Sequence, residues 1–181
     1  MKHRLFVGIR PPEHIRDALL DLMDGVREAR WQDDDQLHLT LKFLGDVDRH
    51  AANDLAQALE TVPFDPFPLC VEGTGHFERK GRSHTLFADI ARTAPLLDLR
   101  RRIESRCIAE GFEPDHRKYA PHITIARLNA SSGTLVPFLA RTAQSRLGPW
   151  TCDSYILYES HLRSSGAIYE PVMTYRARSP K

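Results

Sequence analysis

The chain has 181 residues, 41% of them hydrophobic and 27% charged, which is ordinary for a soluble globular protein and long enough to bury a substantial core. Its net charge of +1 argues against long-range, sequence-blind capture of duplex nucleic acid, although a local basic cleft fits within a balanced total. No apolar run approaches the roughly 18 residues of a membrane span. Cys70, Cys107 and Cys152 are odd in number and form no C-x-x-C pair, so they read as reduced, buried thiols of a cytosolic protein, not a disulfide framework or a zinc site.

In chain order, Arg4 to Ile9 is an apolar strand stopped by Pro11-Pro12, and it reads as the start of the fold, not as a signal peptide. Ile15, Leu19, Leu22, Met23 and Val26 recur at helical spacing and predict a helix reaching Arg30. Gln36 to Leu44 alternates as a strand closed by Gly45, and Asp48 is placed to cap a helix carrying Ala51, Leu55, Ala58 and Leu59. Leu69 to Val71 and Ser83 to Ile90 read as strands around a glycine-rich turn at Gly73, Gly75 and Gly81. Thr93 and Pro95 open a third helix, with Leu96, Leu99, Ile103 and Cys107 on one face and Gly111 as its stop. Tyr119 to Arg127 is another strand, Thr134 to Arg146 a short helix, and Trp150 to Glu159 and Ile168 to Tyr175 are closing strands around Ser164-Ser165-Gly166. The layout predicts one α+β domain over residues 1–181. Two pseudo-symmetric lobes, each an antiparallel sheet flanked by helices, would meet at a central cleft.

Two of these strands carry nearly the same text. His38-Leu39-Thr40-Leu41 returns as His122-Ile123-Thr124-Ile125, with the histidines at positions 38 and 122, 84 apart. Alternation sets His and Thr on one face and the aliphatic residues on the other. Two such strands brought together surround an anionic centre with two imidazoles and two hydroxyls. Zinc is the main competing use of paired histidines, but threonine is a poor ligand and no Asp or Glu lies inside either motif. Gly73-Thr74-Gly75 lacks the further residues of a phosphate-binding loop.

Cleavage of a phosphodiester without a metal needs one group to activate the nucleophile and another to protonate the departing oxygen. Histidine suits both tasks because it titrates near neutrality. Hydroxyls aimed at the non-bridging oxygens oppose the charge that grows there. Lys42 shares parity with His38 and Thr40, so it is expected to face the cleft and attract phosphate, with a solvated strand-end lysine as the alternative. Arg127 shares parity with Ile123 and Ile125, and alternation turns it away unless the strand ends or bulges near Ala126. Tyr119, Phe43 and Tyr158 are candidates to stack on a base, with core packing the competing use of Phe43. The other seven histidines, His84 among them, have no such context and are expected at the surface.

The motifs HLTLKFLG (His38 to Gly45) and PHITIAR (Pro121 to Arg127) resemble the paired signatures of the two-histidine phosphoesterase superfamily. RLFVGI (Arg4 to Ile9), Trp31, GFEPD (Gly111 to Asp115) and LYES (Leu157 to Ser160) extend the likeness, over nearly the full length, to its RNA 2′,3′-cyclic phosphodiesterases, once called 2′–5′ RNA ligases. The resemblance implies a metal-independent enzyme with no cofactor, opening the terminal 2′,3′-cyclic phosphate of RNA to a 2′-phosphate, with 2′–5′ ligation as the reverse. It makes His38 the proton donor and His122 the proton acceptor, with Thr40, Thr124 and Arg127 on phosphate oxygens. Lys118 departs from it, standing where the family often has proline. RNA or oligonucleotide ends are the implied partners, with no membrane, a monomeric state and a cytoplasmic location. A same-fold enzyme acting on a small cyclic nucleotide, and a non-catalytic module binding nucleotide or RNA ends, are the alternatives.

Overall fold

A computed structural model describes residues 2–164 and 166–178. Its strands are β1 (Lys2–Ile9), β2 (Arg30–Trp31), β3 (Leu39–Asp48), β4 (Phe67–Arg79), β5 (Arg82–Ile90), β6 (His122–Arg127), β7 (Arg146–Cys152), β8 (Ser154–Arg163) and β9 (Gly166–Arg176). The helices are α1 (Glu13–Asp21), α2 (Arg49–Leu59), α3 (Ala94–Ala109) and α4 (Val136–Thr142). Among the described residues the strands form one antiparallel sheet in the order β7-β4-β5-β6-β3-β1-β8-β9, with β2 paired to β6. Read outward from its middle, the sheet has two halves, each led by a motif strand, and the α+β two-lobed expectation holds.

The halves meet at a single register pair, Leu39 opposite Ile123, the residues that directly follow the two histidines. Both are fully buried, which anchors the crossing in the core at about 1.5–3 kcal/mol of apolar burial each. Leu55 and Leu59 of α2, and Leu96, Leu99, Ile103 and Cys107 of α3, join the same buried cluster. α3 follows β5 yet packs on β3, and α1 follows β1 yet packs on β7, so each half is covered partly by a helix from the other. Asp48 caps α2, accepting from the backbone N–H groups of His50 (2.9 Å) and Ala51 (3.0 Å). The three cysteines are buried and unpaired, and burial pushes the thiols of Cys107 and Cys152 up to about 12.

Several sequence expectations shift. The first helix ends at Asp21, not Arg30, because Gly25 and Glu28 turn the chain through positive φ (76° and 54°). Val26 still packs into the core from the loop, which is why the spacing read as helical. Gly73 and Gly75 belong to the long strand β4, and the turn itself is Lys80-Gly81, both at positive φ. A side chain at Gly73 would meet the Ala143 carbonyl oxygen at 2.8 Å, so the glycine permits a close approach of the chain after α4. The last helix is shorter than expected, and Trp150 to Glu159 divides into β7 and β8. Ser165 of the expected Ser164–Gly166 loop lies outside the described residues.

Candidate active site

The first motif is set up by the segment before it. A single 3₁₀ turn at Asp34–Gln36 is held by Arg16, whose Nε donates to Asp34 at 2.7 Å, and by Arg10, which donates to the other oxygen at 3.0 Å. The turn aims the Gln36 carbonyl at His38, whose Nδ1 lies 2.7 Å away. The second motif repeats the arrangement, with His122 Nδ1 2.7 Å from the carbonyl of Ala120. A carbonyl oxygen only accepts, so both rings carry their proton on Nδ1 and turn Nε2 outward. The two rings line one cleft of about 840 Å³, together with Thr40, Thr124 and Arg127.

The crossing of β3 and β6 brings them together. Around an antiparallel pair, flanking residues lie opposite each other, so His38 sits toward Thr124 and Thr40 toward His122. On such a lattice the Cα atoms of the diagonal pair His38 and His122 lie about 7–8 Å apart. Burial is the largest effect on both imidazoles and lowers the His38 pKa to about 4, with the neighbouring charges of His122, Arg127 and Arg10 adding to it. His122 is lowered by burial and by Arg127, while Asp89, its cross-strand neighbour, acts in the opposite sense.

Beyond the threonines, each motif strand contains a bulge. Gly8 pairs with Thr40 and Val7 with Lys42, so Leu41 is the extra residue of β3. Phe87 pairs with Thr124 and Leu86 with Ala126, so Ile125 is the extra residue of β6. An extra residue reverses the parity of everything after it. Lys42 therefore turns inward and only 4% of it is exposed. Its ammonium donates to Glu104 at 3.0 Å and to the Glu113 carbonyl at 2.8 Å. Lys42 still belongs to the lining of the cleft, as expected, but its ammonium is engaged by α3 and the loop beyond it.

The matching bulge at Ile125 carries Arg127 to the cleft, where alternation alone would have sent it into the core. Its Nη1 donates to Thr85 Oγ1 at 3.0 Å, and the buried Thr85 hydroxyl is also hydrogen-bonded to Nδ1 of His84 at 2.8 Å. Arg30 on β2 lies directly across from Arg127, and both line the cleft.

Aromatic residues flank each imidazole. Tyr169 meets His38 edge-on at 4.9 Å between ring centroids, and Phe77 meets His122 edge-on at 4.8 Å. Gly8 makes room for the His38 ring, since a Cβ there would lie 3.0 Å from the Leu39 carbonyl oxygen and 3.6 Å from His38 Cδ2. Phe43 is 47% exposed at the cleft, near-parallel to Phe6 at 6.0 Å and beneath the Arg4 guanidinium at 5.7 Å. Tyr119 donates its hydroxyl to the Thr40 carbonyl at 3.0 Å and packs under Arg100. Tyr158 is buried against Phe6 and does not line the cleft. Tyr169, Phe77, Thr85 and the rim residue His84 escaped the sequence reading. Only Gly8, a glycine inside an apolar strand, gave a signal that something packs closely there. Among the described residues no group of three or more His, Cys, Asp or Glu side chains is placed to hold a metal ion.

The family model described as the 2′-5′ RNA ligase superfamily matches residues 8–161. The RNA 2′,3′-cyclic phosphodiesterase of Thermus thermophilus is 30% identical over 185 residues, covering 97% of this chain and 90% of that protein. The protein of the same name from Methanothermobacter thermautotrophicus is 25% identical over 184 residues, covering 97% and 100% of the two chains. Among solved structures, E. coli LigT complexed with 3′-AMP superposes with a TM-score of 0.78 at 20% identity, covering 99% and 100%. No helix among the described residues is long and apolar enough to cross a membrane.

Proposed function

The chain belongs to the 2′-5′ RNA ligase superfamily, and from that premise we propose that it hydrolyses the 2′,3′-cyclic phosphate at an RNA end to a 2′-phosphate by acid–base catalysis between His38 and His122. One observation carries the reading: two imidazoles, each with Nδ1 engaged by a carbonyl two residues back, turn Nε2 into one cleft that also holds two threonines and an arginine. The names of the curated relatives supply the substrate.

In this scheme one Nε2 removes a proton from water as its oxygen bonds to phosphorus. The P–O3′ bond breaks, and the other imidazole delivers a proton to O3′. Thr40, Thr124 and Arg127 face the non-bridging oxygens, whose charge grows in the transition state. The unlike residues at matching bulge positions orient the substrate. Arg127 makes the second lobe the phosphate side, while Phe43 offers an apolar face for the nucleoside on the first lobe. The leaving O3′ then lies beside His38, which supports His38 as acid and His122 as base.

In the free cleft burial is the main cause that lowers both imidazoles, His38 to about 4. A phosphate anion between the rings raises both values, so kcat and kcat/KM should differ in their pH dependence. For kcat/KM, activity needs one proton on the pair, so it rises as pH falls and the first proton binds, then falls toward about 4 as the second binds. The expected profile is a bell whose summit lies below 6.5, with the kcat profile displaced upward. A substrate with sulfur in place of O3′ separates the roles, since a thiolate departs without an acid. It should restore activity to His38→Ala and leave His122→Ala inactive. The overall reading is tested by an RNA bearing a cyclic end, with 2′- and 3′-phosphate products resolved. A 2′-phosphate product abolished by either histidine substitution is expected. A 3′-phosphate product, or full activity after either substitution, contradicts it.

A further inference from the structure

Beside the cleft, on the second lobe, lies a smaller pocket of about 420 Å³ lined by Arg79, Arg82, Ser83, His84, Leu128 and Asn129, with Ala130 at its edge. No carboxylate lines it. Arg79 and Arg82 pair across the β4–β5 hairpin, on either side of the Lys80-Gly81 turn, which places three cations within four residues. Both arginines are exposed, and among the described residues neither makes an ion pair. The nearest acid on the strand, Glu78, lies 3.7 Å from His76 instead. In a chain with a net charge of only +1, this is a concentrated positive site.

His84 belongs to the lining of both the pocket and the cleft. Its Nδ1 is taken by Thr85, so Nε2 is available. Its ring lies roughly parallel to Phe77 with centroids 6.5 Å apart, and Phe77 in turn touches His122 edge-on. A line of rings therefore runs from the second catalytic imidazole to the arginine pair. Cations behind aromatic rings are the pattern that holds single-stranded nucleic acid, with rings for the bases and guanidiniums for the backbone.

We propose that this pocket is a second anion subsite, which takes an internal phosphodiester of single-stranded RNA while the cleft holds a terminal phosphate. The inference rests on the reading of the cleft given above and deepens it. It makes the protein's substrate a strand rather than a mononucleotide. Two strands can supply the phosphodiester: the one whose end occupies the cleft, or a second strand whose 5′-hydroxyl enters from the His122 side.

The test is binding, which needs no turnover. A labelled octaribonucleotide ending in a 2′-phosphate is titrated with the wild-type protein and with the Arg79→Ala/Arg82→Ala double variant, over a range of salt. The variant should bind on the order of tenfold more weakly at low salt, with a log–log salt slope shallower by about 0.7–1.4. The affinity of both proteins for a 2′-mononucleotide should be equal. An octamer with plain hydroxyl ends gives the second arm. If it too loses affinity, the pocket accepts any strand, including an attacking one. If only the phosphate-ended octamer does, the pocket serves the strand seated in the cleft. Unchanged affinity and slope for both octamers, or a parallel loss for the mononucleotide, overturns the subsite. A wild-type protein that binds the octamer as described but hydrolyses no cyclic end contradicts the proposed activity and leaves the subsite standing.

Discussion

The two motif strands follow one backbone recipe and reach different chemical ends. Each starts with a histidine held by a carbonyl two residues earlier, buries an aliphatic residue at the crossing, presents a threonine, and bulges one residue later. After the bulge the first strand reads Lys42-Phe43 and the second Ala126-Arg127. Inward goes a lysine that ties the sheet to Glu104 in one lobe, and a fully buried alanine in the other. Outward goes a phenyl ring in one and a guanidinium in the other. Even their neighbours on the adjoining strands match this division: Phe6 lies opposite Phe43, and Thr85 opposite Arg127. A repeated backbone pattern thus places the two imidazoles alike and their outer neighbours unlike, which in the proposed mechanism gives a symmetric acid–base pair and an asymmetric substrate orientation.

The largest effects should fall equally on the two lobes. His38→Ala and His122→Ala should each lower kcat/KM by about 10²–10⁴ with the thermal transition retained. A tenfold loss in one and total loss in the other would end the equivalence. Next comes the inward pair. Lys42→Met removes the nearer of two cations on Glu104, whose side chain is 12% exposed, leaving Arg100 at 3.9 Å, and should cost about 2 kcal/mol in urea unfolding. The kcat/KM of the folded fraction should be retained. A loss of phosphate affinity at unchanged stability would restore Lys42 to the substrate's side.

The outward pair divides binding from catalysis. Arg127→Ala should reduce kcat/KM by about a hundredfold for every base, since the lost contact is to phosphate and strengthens in the transition state. Phe43→Ala should raise KM about tenfold, as loss of one stacking contact does, with kcat nearly unchanged. If the two variants exchange these signatures, the phosphate and nucleoside sides of the cleft are reversed, and so is the assignment of acid and base.

Most of the fold was legible because alternation and helical spacing are direct consequences of burial. The motif strands, the Asp48 cap and the apolar face of α3 all follow from it. The site's outer ring was less legible. Counting parity through Leu41 and Ile125 fails because the bulged residues are as apolar as their neighbours, so the text of the strand carries no mark of the extra residue. Arg127 was therefore read the wrong way round from parity alone, and the burial of Lys42 against Glu104 went unread. For Arg127, the likeness to a family motif pointed the other way. Tyr169 and Phe77 reach the histidines from strands remote in sequence, and no local pattern foretells that. The glycines of β4 looked like a turn because the chain after α4 and the Phe87 ring, which impose them, are likewise distant.

The central claim is that both imidazoles address one phosphorus atom. Nitrogen NMR of the histidine rings during titration with a 2′-mononucleotide tests it most directly. One equivalent should move the Nε2 resonances of His38 and His122 along a single binding curve and raise both titration midpoints, that of His38 from about 4. A response confined to one ring, or two curves with different affinities, would contradict the account.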